Sequence, residues 1–181
     1  LLPPDRFPLY LQLHDPALSG QTMLRTGDVF GGGIEPEFDP MGYLPIHYPP
    51  AAEEIPGWLE DYVETLNPII LPRRVLTRDE AAEVIAYAYL LIRWLQPFSD
   101  GNGRLGQRIA RGVADRLGYR LADFSEVPPA YPMNHGQEHD TANQQEQEAF
   151  KAFLTNMKHW GTEHYSREAG AAYRQQFLSY V

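Results

Sequence analysis

Apolar residues recur at helical spacing in five stretches of this chain and lose that spacing over the first fifty residues and again over 120–142. The strongest pattern runs over residues 78–95. There Ala81, Ala82, Val84, Ile85, Ala88, Tyr89, Leu91, Ile92 and Leu95 leave little polar face. A helix apolar nearly all round must be buried, so this one is predicted at the centre of the fold. Thr77, with Glu80 three positions later, is a capping box that starts it, and Pro97 stops it.

The other stretches are amphipathic. Residues 53–66 place Ile55, Trp58, Leu59, Tyr62, Val63 and Leu66 on one face, with Glu53 and Glu54 favouring the N-terminal end. From about Arg104 to Leu117, Ile109, Val113 and Leu117 repeat every four residues. That spacing predicts a helix packed back on the central one, ended by Gly118 as a left-handed cap. Two more helices are expected over 143–160 and 163–180, carrying Phe150, Phe153, Leu154, Met157 and Trp160, then Tyr165, Tyr173, Phe177 and Leu178.

Between them, Pro128, Pro129, Pro132 and Gly136 mark a long loop over 120–142. At the start, Pro3, Pro4, Pro8 and Pro16 give an irregular lead-in over 1–20. Residues 22–50 hold short apolar runs among Gly and Pro and read as a loose β-hairpin turning at Gly31-Gly32-Gly33. The expected fold class is therefore all-α, one domain over 1–181 with a small hairpin flap at 22–50. Its centre is the unit 78–118, a central helix, a joint and the following helix. No internal repeat is present.

Composition narrows the partners more than the fold. At 181 residues, with 43% hydrophobic and 22% charged residues, the chain suits a single globular domain. Twenty-four acidic against fifteen basic residues give a net charge of −9, which argues against nucleic acid or an anionic membrane as the main partner. The absence of cysteine removes disulfides and thiolate metal sites and points to the cytoplasm. No apolar run approaches the roughly 18 residues that span a bilayer, and no basic segment followed by an apolar core opens the chain. Because the chain starts at Leu1, it reads as a piece of a longer protein, with regulatory segments outside it.

The chemistry concentrates in the joint Gln96-Pro97-Phe98-Ser99-Asp100-Gly101-Asn102-Gly103-Arg104, which runs on to Gln107-Arg108. A Gly-Asn-Gly-Arg turn opening a helix offers free backbone N–H groups and a positive dipole end, a seat for an anion such as phosphate. Asp100 is placed to hold a divalent cation bridging phosphate oxygens, or to cap the following helix. Arg104 can pair with a second phosphate through its fork of donors. Phe98 reads as an apolar anchor behind Pro97, pinning the loop to the core.

The string resembles the Fic (Fic/Doc) signature His-Pro-Phe-x-Asp/Glu-Gly-Asn-Gly-Arg-x-x-Arg. Pro97, Phe98, Asp100, Gly101, Asn102, Gly103 and Arg104 match it; Gln96 stands where the family has its His, and Gln107 where it has its second Arg. The resemblance extends upstream, where Arg25-Thr26, Gly31-Gly32-Gly33 and Pro49-Pro50 are similar to the start, turn and exit of the family's flap, which pairs with a target segment by β-augmentation. It implies a mainly helical domain that transfers AMP, or another phosphate-containing group, from a nucleotide such as ATP to a protein hydroxyl. It also implies Mg2+ on Asp100 and phosphates held by Gly101, Asn102, Gly103 and Arg104. The family's His is the general base. A glutamine amide cannot take up a proton usefully, and losing such a base costs roughly 10²–10⁴-fold in rate. Arg108, on nearly the face of Arg104, is a candidate for the missing second clamp.

Three readings follow. The first is a divergent transferase or nucleotide- and phosphate-binding protein; the second, a conventional AMP transferase carrying an inactivating His-to-Gln substitution at 96. The third is a protein-interaction module that takes no nucleotide. His47 is the first alternative base to test. His135-x-x-Glu138-His139 has the spacing of a zinc-peptidase pattern but falls in the loop that Gly136 and the prolines define, where a chance match is expected. Tyr43 and Tyr48 in the flap are candidates for self-modification. The family's inhibitory Ser/Thr-x-x-x-Glu-Gly/Asn string is absent, and Gln107 removes its usual partner.

Overall fold

A computed structural model describes residues 24–26, 49–72, 74–123, 132 and 141–181. Five α-helices appear among them: α1 (Ile55–Ile70), α2 (Arg78–Leu95), α3 (Asn102–Leu117), α4 (Thr141–Met157) and α5 (Ala171–Phe177), with a short 3-10 turn at Ala52–Glu54 ahead of α1. The domain is mainly helical. The hairpin expected over 22–50 lies outside the described residues except for 24–26 and 49–50. None of the helices described is long and apolar enough to cross a membrane.

Helix α2 runs over 78–95, as the pattern predicts, because both of its ends are written in the chain. The Thr77 hydroxyl accepts from the Glu80 N–H, and the Glu80 carboxylate accepts from the Thr77 N–H at 2.9 Å. Thirteen of its eighteen residues are buried, and α1, α3, α4 and α5 all pack against it. Aromatic rings tie the layers together. Trp94 of α2 meets Trp58 of α1 edge-on at 5.1 Å and Phe150 of α4 at 5.7 Å, while Phe153 stacks on Tyr173 of α5 at 4.3 Å. The buried Tyr62 hydroxyl donates to the Ala88 carbonyl at 2.7 Å, so α1 is fixed to α2 by a polar bond as well as by packing.

Several boundaries and one face differ from the sequence expectations. Helix α1 continues past Leu66 to Ile70 despite Pro68 inside it. Proline removes a backbone donor and clashes with the preceding turn. Burying Ile69 and Ile70, each 2% exposed, opposes that cost. Helix α3 starts at Asn102 rather than Arg104, which makes Gly101, not Asp100, its N-cap residue. Its buried face is Leu105, Gly106, Ala110, Val113, Ala114 and Leu117; Ile109 is only partly covered. The glycine and alanines let α3 approach α2 closely. Gly118 does end it, at φ 86°.

The helix expected over 163–180 shrinks to Ala171–Phe177, and α4 stops at Met157. The Asn156 side chain donates to the Ser166 carbonyl at 2.8 Å and accepts from the Ser166 N–H at 2.7 Å, which holds the intervening segment as a turn. Local side-chain bonds of this kind compete with helix formation.

Candidate functional site

The α2–α3 joint is built by three constraints. The chain leaves α2 through Gln96 in the left-handed region, at φ 43° and ψ 61°, the one non-glycine residue with positive φ among those described. For a side chain as long as glutamine this costs roughly 1–2 kcal/mol. Pro97 and Phe98 are then buried, Phe98 at 6% exposure. Finally the Asn102 side chain folds back on the loop: its Oδ1 accepts from the Phe98 N–H at 3.0 Å and its Nδ2 donates to the Phe98 carbonyl at 2.7 Å. Both ends of that amide are engaged in bracing the turn.

Above this brace the loop is open. Ser99 and Asp100 are exposed. Gly101, at φ 79°, turns the chain into α3, and its N–H donates to Asp100 Oδ1 at 2.5 Å. No side chain caps α3, and the N–H groups of Asn102, Gly103 and Arg104 meet no acceptor among the described residues. Those amides and the dipole form the positive end of the helix. Arg104 Nη2 lies 3.5 Å from the other Asp100 oxygen, with both side chains largely solvated. An exposed pair of this kind contributes little to stability and exchanges partners readily.

Arg25 comes to the joint from far away in sequence. Its backbone N–H donates to the Pro97 carbonyl at 2.9 Å and its Nε to the Gln96 carbonyl at 2.9 Å. Its Nη2 reaches the Leu95 carbonyl at 3.4 Å and also the Pro50 carbonyl. The Leu95 and Gln96 carbonyls are the last of α2, which a helix leaves without partners of its own. The arginine of the Arg-Thr start of the expected flap thus has a definite structural task, and reading it as flap alone missed its contact with the loop; Thr26 beside it is exposed. Gly31, Gly32 and Gly33 lie outside the described residues, as do His47, Tyr43, Tyr48 and the 135–139 segment.

Arg93 is the residue the sequence pattern overlooked. Its stem passes Gly106, where an added Cβ would sit 3.3 Å from Arg93 Cγ, and its guanidinium reaches Gly103, where a Cβ would sit 2.5 Å from Nη1. The signal available was position: an arginine one turn before Gln96, within the otherwise apolar run 84–95. Gln107 is half-buried and Arg108 exposed on α3, one turn beyond Arg104, and each has interactions of its own.

The structure therefore gathers Gln96, Pro97, Phe98, Asp100, Gly101, Asn102, Gly103, Arg104 and Arg25 at one corner of the domain. A sequence model of the Fic/DOC family matches residues 9–111, which covers the segment from ahead of the expected flap into α3. The chain belongs to the Fic/DOC family. Fic domains generally transfer phosphate-containing groups such as AMP to proteins. No curated protein matches the chain.

A first expected result concerns the brace of this Fic loop. Asn102→Ala leaves the buried Phe98 N–H and carbonyl without partners and is expected to cost about 2 kcal/mol. Chemical denaturation measures the loss. A stability within a few tenths of the parent's would show that the brace is dispensable.

Proposed function

We propose that this Fic domain holds the phosphates of a nucleotide at the N-terminus of α3 and, with Gln96 at the base position, is either a divergent transferase or a nucleotide-binding protein. One observation carries the reading: the uncapped first turn of α3, entered through left-handed Gly101 and flanked by Asp100 and Arg104. Phosphate oxygens would accept from the N–H groups of Gly103 and Arg104 and from the Arg104 guanidinium. Asn102 would act through its backbone, since Phe98 occupies its side chain. Arg108 remains a candidate for a more distant phosphate, and a protein target would approach through the flap.

The donor set fits Mg2+. Among the described residues no group of three His, Asp or Glu gathers as a metal cage. Mg2+ bound with a nucleotide commonly needs only one or two carboxylates, with phosphates and water supplying the rest. Asp100 is exposed, and among the described residues its outward oxygen is held by Arg104 alone. Bound with the nucleotide, the ion would neutralise phosphate charge. Asp100 would then exchange Arg104 for the metal, and Arg104 would exchange Asp100 for phosphate.

Glutamine at 96 can donate a hydrogen bond to orient a hydroxyl but removes no proton. Histidine tolerates the left-handed region better than most residues, so it can replace Gln96 without disturbing the turn. The test has two parts. Calorimetry with ATP and Mg2+ is expected to show binding that Arg104→Ala weakens about 10- to 100-fold. Label transfer from radiolabelled ATP to protein is expected to rise at least about 100-fold in Gln96→His if the rest of the machinery is intact. Unchanged affinity in Arg104→Ala contradicts the seat. Silence towards ATP, UTP and a cytidine diphosphate conjugate leaves the interaction module as the reading.

A further inference from the structure

At the far end of α3, an open groove of about 820 Å3 lies between the α1–α2 loop, residues 71–77, and the last turns of the helix. We infer that this groove is a docking surface for an extended acidic segment of a partner protein, anchored by one aliphatic side chain. The inference stands apart from the phosphate reading, since the 16 residues of α3 separate the two places by roughly 20 Å.

The groove is built before any partner arrives. Leu76 and Leu117, each 8% exposed, form its floor. The Tyr119 hydroxyl donates to the Leu76 carbonyl at 2.8 Å, and Arg116 Nε donates to the Ile70 carbonyl at 3.3 Å. These bonds hold the loop and the helix end at a fixed separation, so docking orders little of this surface. Gly112 and Gly118 on the α3 side have open space where a Cβ would stand, which leaves room for another backbone to lie close.

Apolar exposure and backbone give the shape of the occupant. Val75 is 99% exposed and Leu71 53%; they are the large hydrophobic side chains left exposed among the described residues, and both belong to this loop. A lone exposed valine means little, but a pair beside a leucine floor makes a patch that a partner can cover. Residues 74–76 belong to no helix or strand, and Arg74 and Val75 make no backbone hydrogen bond to a described residue. A stretch with its backbone groups open to solvent can pair with an added extended chain.

Charge gives the sign of the occupant. The chain carries −9 overall, and residues 53–64 hold five carboxylates and no basic residue. Helix α3 reverses this, with Arg104, Arg108, Arg111 and Arg116 against Asp115 alone. Arg74 and Arg116 line the groove, and the exposed Arg111 and Arg120 stand next in sequence to its Gly112 and Tyr119. Among the described residues Arg74 has no hydrogen bond or ion pair, and Arg116 has its one bond to Ile70. Asp115, the one carboxylate of the lining, lies a turn from Arg111, which offsets it. Guanidinium groups gathered on an acidic protein attract an anionic partner. The leucine floor and the overall charge of −9 favour an acidic peptide over a nucleic acid.

The probe is a displayed library of random peptides of about eight residues, roughly 26 Å when extended, selected on the parent domain. Enriched sequences are expected to be net acidic with an aliphatic residue. A labelled peptide from that set, followed by fluorescence anisotropy, is expected to bind more weakly as salt is added. Val75→Ser should weaken it about 3- to 10-fold and Arg74→Glu at least about tenfold. Both positions are exposed, so neither change threatens folding. No enrichment, enrichment of neutral or basic peptides, or equal affinity in the parent and both variants overturns the inference. So does tighter binding of single-stranded DNA of similar length, which would make the face a nucleic-acid site. Displacement of the peptide by ATP with Mg2+ would place it on the other end of α3 and likewise overturn the assignment, while a peptide that ATP leaves in place supports it.

Discussion

Replacing Gly170 by alanine is expected to lower the unfolding free energy by about 3–5 kcal/mol, the cost of breaking a buried ion pair. A Cβ at this position would lie 1.6 Å from Glu83 Oε1 and 2.4 Å from its Cδ. Glu83 must therefore move, and moving takes it from Arg174 of α5, whose Nη1 is 3.2 Å from Oε2. Glu83 is 1% exposed, on the central helix. The Tyr165 hydroxyl is near enough to influence the carboxyl, yet neither it nor Oε1 has a hydrogen bond of good geometry. Urea unfolding measures the loss. Because Glu83→Ala opens the space, the double variant is expected to lose less than the sum of the two single ones; strict additivity would contradict the clash.

The same carboxylate gives the domain a pH dependence whose sign is fixed. Burial raises the Glu83 carboxyl above its ordinary value, and Tyr165 and Arg174 pull it part of the way back. A carboxyl that holds its proton more tightly in the folded than in the unfolded state favours folding at low pH. That advantage is fully present below the ordinary value of 4.5 and is lost as pH rises through the raised one. Glu83→Gln removes the titration. The stability of this variant relative to the parent is therefore expected to climb as pH rises from 4.5, and a relative stability that falls over that range would refute the assignment.

The parts of the fold that short-range rules control were legible in the chain. Helix α2 could be bounded at both ends because Thr77, Glu80 and Pro97 act on neighbouring backbone, and Gly118 ended α3 for the same reason. Where a distant contact decided, the pattern misled. It bounds the first helix at Leu66, whereas that helix runs through Pro68 to bury Ile69 and Ile70, and the 163–180 helix reads as continuous until Asn156 is seen gripping Ser166. In the site, Gln96 to Arg104 could be found as a string, since the turn is local. Asn102 looked like a ligand because its type suits one, and only the geometry gives its amide to Phe98. Arg93 stayed hidden because the two glycines that admit it lie on another helix.

Arg25→Met is expected to cost about 3 kcal/mol or more, because two to three charge-assisted hydrogen bonds to backbone carbonyls are lost. Methionine keeps most of the stem, so the loss is that of the guanidinium rather than of packing. The carbonyls of Leu95 and Gln96 sit at the negative end of α2, where a cation is doubly favoured, by hydrogen bonding and by the dipole. They also flank the left-handed turn at Gln96. Without Arg25 that turn loses the bonds that offset its strain and is expected to relax towards an ordinary backbone conformation. Such a change would carry Pro97 and the proposed phosphate seat with it. Arg25→Met is thus expected to speed hydrogen exchange of the amides at 98–105 and to weaken ATP binding, although Arg25 itself is buried beneath the loop. Arg25→Lys should behave in nearly the same way, since one ammonium cannot reproduce the fork. Unaltered exchange in that segment, in a variant that still folds, would mean that the turn holds its shape through Asn102 and Phe98 alone.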